Sequence, residues 1–240
     1  MRSLEVGIAQ LPAAFDDAAG QLARLGQLLA AHRADLVLLP ELALTGYVSP
    51  RGNFDVTPWA EALDGPTAQA LSGLARRHGI ALAGPLVERA GTRFYNSLLL
   101  FDADGRLAGH WRKRHPWYPE AWATPGDLGT PVVEWAGLKV CAALCFDLHF
   151  IEQDAWDALA AADLLLFPSA WVEEHDSRND RLAALARRHG IAVANANWGA
   201  GAPFVPSQGQ SMLFDRTGRR VASTAPHSTA AWCGARLDFE

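Results

Sequence analysis

The stretch Asp35-Leu-Val-Leu-Leu-Pro40 returns later in the chain as Asp163-Leu-Leu-Leu-Phe-Pro168. Each copy is a continuous apolar run that ends at a proline. Such a run is typical of a short, fully buried β-strand, and the proline ends it because it cannot donate to the strand ladder. A buried strand that occurs twice indicates two halves built on one plan.

Two further motifs repeat in the same order. Leu74-Ala-Arg-Arg-His-Gly-Ile-Ala81 returns as Leu185-Ala-Arg-Arg-His-Gly-Ile-Ala192, and Phe101-Asp-Ala-Asp-Gly-Arg106 returns as Phe214-Asp-Arg-Thr-Gly-Arg219. The first predicts the last turn of a helix, since basic residues favour the negative end of the helix dipole and glycine favours the left-handed conformation that follows. The second predicts a hairpin turn. Three motifs in register indicate an internal pseudo-repeat of two βαβ-type halves.

The alternation of predicted strands and helices favours mixed sheets that are covered by helices. Two such sheets facing each other give the predicted fold, an α/β four-layer α-β-β-α sandwich. In the second half the pattern predicts a helix over about 150–161 and a last strand near 229–236. No linker or low-complexity stretch separates the halves, so we expect residues 1–240 to form a single domain.

The composition excludes several classes of function. Half of the 240 residues are hydrophobic, a fifth are charged and the formal net charge is −5, as in ordinary globular proteins. Lysine and arginine form no basic stripe, so nucleic acid is not an expected partner. The apolar runs are far shorter than the roughly 20 residues that cross a bilayer. With no signal-peptide core and three cysteines, too few for a disulfide framework, the expected location is the cytoplasm.

Three polar residues follow the ends of predicted strands, namely Glu41, Lys113 and Cys145. Each has an ordinary explanation when taken alone: a helix carboxylate, a solvated cation and a packing thiol. Ligands of α/β sheets, however, bind beyond the carboxyl ends of strands. A thiol, a carboxylate and an ammonium that converge there would make a covalent hydrolase.

The local sequences around these residues are Leu39-Pro-Glu41-Leu, Arg112-Lys113-Arg-His115 and Cys145-Phe-Asp147-Leu-His-Phe-Ile-Glu152. Together they resemble the nitrilase, or carbon–nitrogen hydrolase, superfamily, and in particular its amidase-like branch. The resemblance extends from Val6 to about Leu237, nearly the whole chain. It implies the same four-layer fold and a triad of Cys145 as nucleophile, Glu41 as general base and Lys113 as the third member.

The resemblance also implies supporting residues and a substrate class. Glu120 is expected to orient Lys113 or touch the substrate, the backbone N–H of Phe146 to stabilise an oxyanion, and Trp171 to contact the substrate. The implied reaction cleaves a small linear amide to acid and ammonia through a cysteine thioester. An N-carbamoyl amine or amino-acid hydrolase, or a nitrilase, is the alternative. No metal or cofactor is implied, and a homodimer or higher homo-oligomer is expected.

The chain departs from the family's common pattern just after the cysteine. Phe146 stands where a tyrosine is common, and His149 and Ile151 replace an arginine and a proline. These differences leave the triad intact but affect the prediction of substrate preference. Asp147 is expected to brace the loop by accepting backbone hydrogen bonds.

Three rival interpretations remain at this stage. A Cys–His–Asp hydrolase could use Cys145 with His149 or His115 and Asp147, although neighbours in one loop rarely converge as a triad does. The spacing of Cys141, Cys145 and His149 would suit a metal on a helix, but the segment reads as a strand. The fold could also serve as a binding module without turnover.

Overall fold

The computed structural model describes residues 2–239, and these form two six-stranded β-sheets that face each other with helices on their outer sides. The predicted four-layer sandwich is therefore confirmed. The elements of the first half, in chain order, are β1 (Arg2–Gln10), α1 (Ala18–Ala31), β2 (Leu36–Leu38), α2 (Pro66–His78), β3 (Ala81–Ala90), β4 (Arg93–Phe101) and β5 (Leu107–Arg112). Those of the second half are β6 (Val133–Trp135), β7 (Leu138–Ala142), α3 (Ile151–Asp154), α4 (Trp156–Ala161), β8 (Leu164–Ser169), α5 (Arg178–His189), β9 (Ala192–Asn197), β10 (Met212–Phe214), β11 (Arg220–Ser223) and β12 (Ala231–Phe239).

Each sheet has three parallel strands at its centre. In the first sheet the strand order is β12-β1-β2-β3-β4-β5, with β1, β2 and β3 parallel and the other pairs antiparallel. In the second sheet the order is β11-β10-β9-β8-β7-β6, and β7, β8 and β9 are the parallel strands. The carboxyl ends of both parallel sets carry the residues discussed below.

The repeated aspartates explain why the buried strands begin where they do. The carboxylate of Asp35 accepts a hydrogen bond from the backbone N–H of Glu5 at 2.8 Å. The carboxylate of Asp163 accepts from the backbone N–H of Lys139 at 2.9 Å. Each aspartate thus connects the start of a central strand to its parallel neighbour. This shared contact explains why the aspartate is part of the repeated motif.

The predicted helix ends and hairpins are also present. Gly79 and Gly190 follow α2 and α5 with φ of 64° and 62°, in the left-handed region that glycine adopts without strain. At both hairpins an aspartate, Asp102 or Asp215, accepts backbone hydrogen bonds from the residues two and four positions later.

The main core lies between the sheets and is built from alternate residues of both parallel sets, such as Ile8, Leu38, Val140 and Leu166. Two further apolar layers pack the helices onto the outer faces. Over residues 2–239, no helix has the length and apolarity that spanning a membrane requires.

Three details differ from the sequence prediction. The helix expected over 150–161 is two short helices, because Ala155 between them has φ of −133°, outside the helical region. The short strand β6 was not predicted. The last strand belongs to the second half in sequence, but β12 pairs along β1 in the first sheet, with Arg2 opposite Phe239.

Candidate active site

The structure brings Glu41, Lys113 and Cys145 together at the carboxyl ends of strands from both sheets. Glu41 follows β2, Lys113 directly follows β5, and Cys145 begins a 3₁₀ helix over Cys145–His149 after β7. The Nζ of Lys113 lies 2.7 Å from Oε1 of Glu41, and both side chains are fully buried. The three residues that the sequence singled out therefore share one buried site.

The Glu41 carboxylate is held from three directions. Besides Lys113, its Oε1 accepts a hydrogen bond from Nδ2 of Asn96 at 2.8 Å. Its Oε2 accepts from the backbone N–H of Ala170 at 3.0 Å, just beyond the end of β8. The carboxylate is therefore fixed by groups from both sheets.

Glu120 binds the other side of the Lys113 ammonium. Its Oε1 accepts from Nδ2 of Asn96 at 2.8 Å, and its Oε2 accepts from the backbone N–H of Trp117 at 2.7 Å. Lys113 thus lies between two carboxylates, and Asn96 bridges the same pair. Among the roles expected for Glu120, the one that these contacts support is the orientation of Lys113.

Cys145 occupies a sharp turn between β7 and the 3₁₀ helix. Its φ is 46°, a left-handed conformation that costs energy in a residue other than glycine and that aims the side chain at Glu41 and Lys113 instead of along the strand. The Asp147 carboxylate holds this turn as expected, because it accepts from the backbone N–H of Leu144 at 2.9 Å and of His115 at 2.8 Å.

Burial determines the direction of the pKa shift for Glu41 and Cys145, but not for Lys113. It raises the pKa of Glu41 above its ordinary value of 4.5, against the lowering effect of the Lys113 charge. Burial and the neighbouring Glu41 charge raise the pKa of the Cys145 thiol well above 9.0. For Lys113 burial is outweighed by the two carboxylates, so the pKa of the ammonium rises above 10.5. The resting site therefore holds a protonated thiol, a fixed cation and a carboxylate whose affinity for a proton is increased.

A pocket of about 60 Å³ opens over Cys145. Aromatic side chains form most of its wall, and the segment after β8 forms one side. The lining includes Tyr47, Trp117, Phe146, His149, Trp171 and Glu173. Trp171, which is expected to contact the substrate, and Phe146, whose backbone N–H is expected to stabilise the oxyanion, both border this pocket.

The histidines of the rival triad have other partners. The Nε2 of His115 contacts Asp154, and the ring of His149 stacks on Trp171 with centroids 5.8 Å apart. Asp147 is occupied by the backbone donors described above. Across residues 2–239, no cluster of three or more histidine, cysteine, aspartate and glutamate side chains is arranged to hold a metal ion.

Three groups of the site are not predicted as site groups from the sequence, namely Asn96, Tyr47 and the Ala170 backbone N–H. Asn96 had a detectable signal, since it is an amide inside the strand Arg93-Phe-Tyr-Asn96-Ser-Leu-Leu-Leu-Phe101, on the face that packs between the sheets. Tyr47 lies in a turn-rich loop without periodic pattern. The N–H of Ala170 carries no side-chain signature at all.

Comparison with known proteins gives one family. The family model described as carbon-nitrogen hydrolase matches residues 5–240. A protein of Pseudomonas protegens called "Hydrolase in pqqF 5'region" is 34% identical over 227 residues, which cover 92% of this chain and 79% of that protein. An (R)-stereoselective amidase of Pseudomonas sp. is 30% identical over 222 residues, covering 90% of this chain and 79% of the relative.

Among solved structures, the amidase from Nesterenkonia sp. AN1 has the same fold. A cysteine-to-alanine mutant of it in complex with butyramide superposes with a TM-score of 0.86 at 25% identity, covering 98% of this chain and 90% of that chain. A glutamate-to-glutamine mutant of the same amidase shows covalent addition of the acetamide moiety of fluoroacetamide at the active-site cysteine. That structure has a TM-score of 0.85 at 25% identity, with the same shares of the two chains covered.

Proposed function

Since this chain belongs to the carbon–nitrogen hydrolase family and is a hydrolase of that kind, we propose that it cleaves small linear amides to acid and ammonia through a thioester on Cys145. The observation that carries the proposal is the buried Glu41 carboxylate, which is held beside Cys145 by Lys113, Asn96 and the Ala170 N–H. A carboxylate with a raised pKa next to a thiol is a general base, and the covalent adduct of the related amidase supports a cysteine nucleophile.

In the first step the thiol proton passes to Glu41 as the sulfur attacks the amide carbon. Because burial holds the pKa of the thiol high, deprotonation accompanies attack and no thiolate accumulates beforehand. The raised pKa of Glu41 makes it a stronger base than an ordinary carboxylate, which lowers the cost of accepting the thiol proton.

The carbonyl oxygen gains a negative charge in the tetrahedral intermediate. The ammonium of Lys113 carries three protons, and two of them are directed at Glu41 and Glu120. The third is available to the oxyanion, and the backbone N–H of Phe146, next to the nucleophile, is the second proposed donor. Glu120 acts as a positioning residue for Lys113.

Glu41 then transfers a proton in each half of the turnover. Glu41 donates the thiol proton to the departing nitrogen, the C–N bond breaks, and ammonia leaves a thioester on Cys145. Water enters, Glu41 takes one of its protons, and the hydroxide adds to the thioester carbon. The C–S bond breaks, the sulfur recovers the proton from Glu41, and the acid is released.

The size of the pocket limits the substrate. Because about 10–15 Å³ of such space holds one water molecule, a pocket of about 60 Å³ accommodates about four to six non-hydrogen atoms. This range fits whole amides from acetamide to butyramide, and the end of a longer acyl chain would extend to the open mouth beside Glu173. Butyramide is the ligand of the related amidase. The aromatic lining favours an aliphatic acyl group.

The remaining predictions are part of the same proposal. We propose that residues 1–240 act as one domain and that the enzyme is a homodimer or larger homo-oligomer in the cytoplasm. Three cysteines among 240 residues are too few for a disulfide framework, which supports a reducing compartment.

Ammonia release from a panel of acetamide, butyramide, an N-carbamoyl amine and matching nitriles tests the proposal. We expect the two amides to be the best substrates. Cys145→Ala should lose at least about 10⁴-fold in kcat/KM, as expected when a nucleophile is removed. Mass spectrometry of the protein during turnover of butyramide should detect the acyl adduct on Cys145.

Cys141→Ala is the matched control, because Cys141 is a buried packing residue on β7. It should retain activity. Release of ammonia from the nitriles alone, or full activity in Cys145→Ala, would contradict the proposed function.

A further inference from the structure

The wall of the pocket carries an asymmetric charge. Among its lining residues in the described chain, Glu173 contributes a carboxylate, and no lysine or arginine is present. The other walls are aromatic or aliphatic apart from the reactive thiol and His149. A substrate's far end, pointing away from Cys145, therefore meets apolar surface and one negative group.

The Glu173 carboxylate is held in place. Its Oε2 accepts a hydrogen bond from the Ser177 hydroxyl at 2.7 Å, near the start of α5. Its Oε1 lies 3.7 Å from Nε2 of His149. The side chain is 38% exposed, so it is at the mouth of the pocket, where it keeps its charge and can still accept a further hydrogen bond.

The neighbouring groups do not cancel that charge at the pocket. Burial and the Arg181 guanidinium lower the pKa of His149 below 6.5, so the ring is neutral at pH 7. Arg181 itself donates to the Leu148 carbonyl at 3.0 Å and contacts Nδ1 of His149 at 3.1 Å, on the ring nitrogen that faces away from Glu173.

The inner end of the pocket has the same sign. Behind Cys145, the one ammonium of Lys113 is shared by two carboxylates, Glu41 and Glu120. Among the described residues, no lysine or arginine lines the pocket, and the cation behind Cys145 is shared by two carboxylates. A carboxylate on the substrate would be repelled at both ends of the pocket, whereas a cation near the mouth would be attracted.

From this arrangement we propose that Glu173 is a specificity-determining residue, which favours amides with a cationic group at the far end of the acyl chain and disfavours those that end in a carboxylate. The inference rests on the proposed amidase function and refines its substrate class. A terminal ammonium that follows a short methylene chain combines an apolar stem for the aromatic wall with a charge for Glu173.

The test uses three amides of similar length: 5-aminopentanamide, hexanamide and the monoamide of glutaric acid. For the parent enzyme we expect kcat/KM to fall in that order. Glu173→Gln should lower kcat/KM for the amine-ended amide about fivefold to tenfold and raise it for the acid-ended amide by a similar factor. For hexanamide the change should stay within about twofold.

Glu174→Gln is the matched control, since it removes the same charge from the next residue, which is exposed and lies outside the pocket. It should change kcat/KM for all three amides by less than about twofold. Added salt should reduce the preference of the parent enzyme for the amine-ended amide.

Equal kcat/KM for the three amides in the parent enzyme would overturn the inference. An equal loss on all three in Glu173→Gln would also overturn it, because that pattern indicates a structural role. These results leave amide hydrolysis intact and so differ from failure of the proposed function, in which the parent enzyme releases no ammonia from acetamide or hexanamide.

Discussion

Two buried carboxylates, Glu41 and Glu88, lie on opposite faces of the first sheet. Residues that are adjacent in the chain contact one or the other. Asn96 and Lys113 contact Glu41 on the face between the sheets. Their chain neighbours Ser97 and Arg112 point to the other face and contact Glu88. The comparison is close, because one strand pair supplies an uncharged donor and a cation to each carboxylate.

The two carboxylates have opposite pKa shifts. Glu88 accepts from the Ser97 hydroxyl at 2.7 Å and the Arg112 Nε at 3.0 Å, and it lies 2.9 Å from Nε2 of His110. Burial alone would raise its pKa, but His110, Arg112 and Ser97 together lower it to about 2. Arg112 also binds Asp127, but the contacts of Glu88 with Arg112, His110 and Ser97 all favour its ionised form, so this cluster stabilises the fold.

Glu41 has a cation as well, but Glu120 shares it, and burial prevails. The buried Oδ1 of Asn96 also has no hydrogen-bond partner among the described residues. The cation of each cluster is shared with a second carboxylate, but Glu120 beside Lys113 is buried, whereas the side chain of Asp127 beside Arg112 is 48% exposed. Burial of the whole set, and not the number of cations, therefore separates the proposed catalytic cluster from the structural one.

The largest expected effect comes from Glu41→Gln. Removal of a general base should lower kcat/KM for a good amide by about 10³-fold or more. The free energy of unfolding should be retained or increased, because ionised Glu41 is unfavourable in its buried site. Ammonia release and urea denaturation measure the two effects. A stability loss as large as the one expected below for Glu88→Gln would show that ionised Glu41 stabilises the fold in the same way as ionised Glu88.

Glu88→Gln should give the reverse result. It leaves the half-buried Arg112 with Asp127 as its one remaining carboxylate partner among the described residues, and the shift of the Glu88 pKa from 4.5 to about 2 corresponds to about 3 kcal/mol of stability. Activity under conditions where the protein stays folded should be within about threefold of the parent. Glu134→Gln, on the exposed edge strand β6, is the control and should change stability by less than about 0.5 kcal/mol.

The pH dependence of activity and stability should separate in the same way. As the proposed general base, Glu41 has to be ionised to accept a proton, so kcat/KM should fall as the pH drops through its raised pKa, with a midpoint above 4.5. Glu88 has a lowered pKa, so its contribution is complete above about 4.5 and is lost as the pH falls toward about 2. Activity should therefore disappear at a higher pH than the fold. Coincident loss of both would argue against two distinct clusters.

Asn96→Ala should have the smallest effect. It removes one donor from Glu41 and one from Glu120, so we expect kcat/KM to fall about tenfold and its acid limb to shift to higher pH. Ser97→Ala is the matched control on the opposite face. It should reduce stability by about 1 kcal/mol and leave the pH profile of activity unchanged. An equal shift of the acid limb of the kcat/KM profile in both variants would contradict the separation of the two clusters.

The sequence predicted much of this molecule because its main signals are local. The twofold Asp-Leu-x-Leu-x-Pro motif marked a buried strand in each half, and polar residues after strand ends marked Glu41, Lys113 and Cys145. These features depend on residues that are close together in the chain. The confirmed fold and family follow from them.

Other features depend on contacts between distant segments and left no local pattern. The pairing of β12 with β1 joins the two ends of the chain, and the break at Ala155 arises within a run that suits a helix throughout. Asn96 could be noticed as a polar residue in an apolar strand, but its function depends on Glu41 and Glu120, which approach from two other segments.

The difference between the two clusters is tested most directly by measuring the ionisation of Glu41 and Glu88. Carbon-13 NMR of labelled glutamate carboxyl groups detects this ionisation. Glu41→Gln and Glu88→Gln assign the two resonances. The account predicts that the Glu41 resonance titrates with a pKa above 4.5, while the Glu88 resonance stays ionised to the lowest pH at which the protein remains folded. A Glu41 resonance that titrates below 4.5, or a Glu88 resonance that titrates together with it, would contradict the opposite pKa shifts of the two carboxylates.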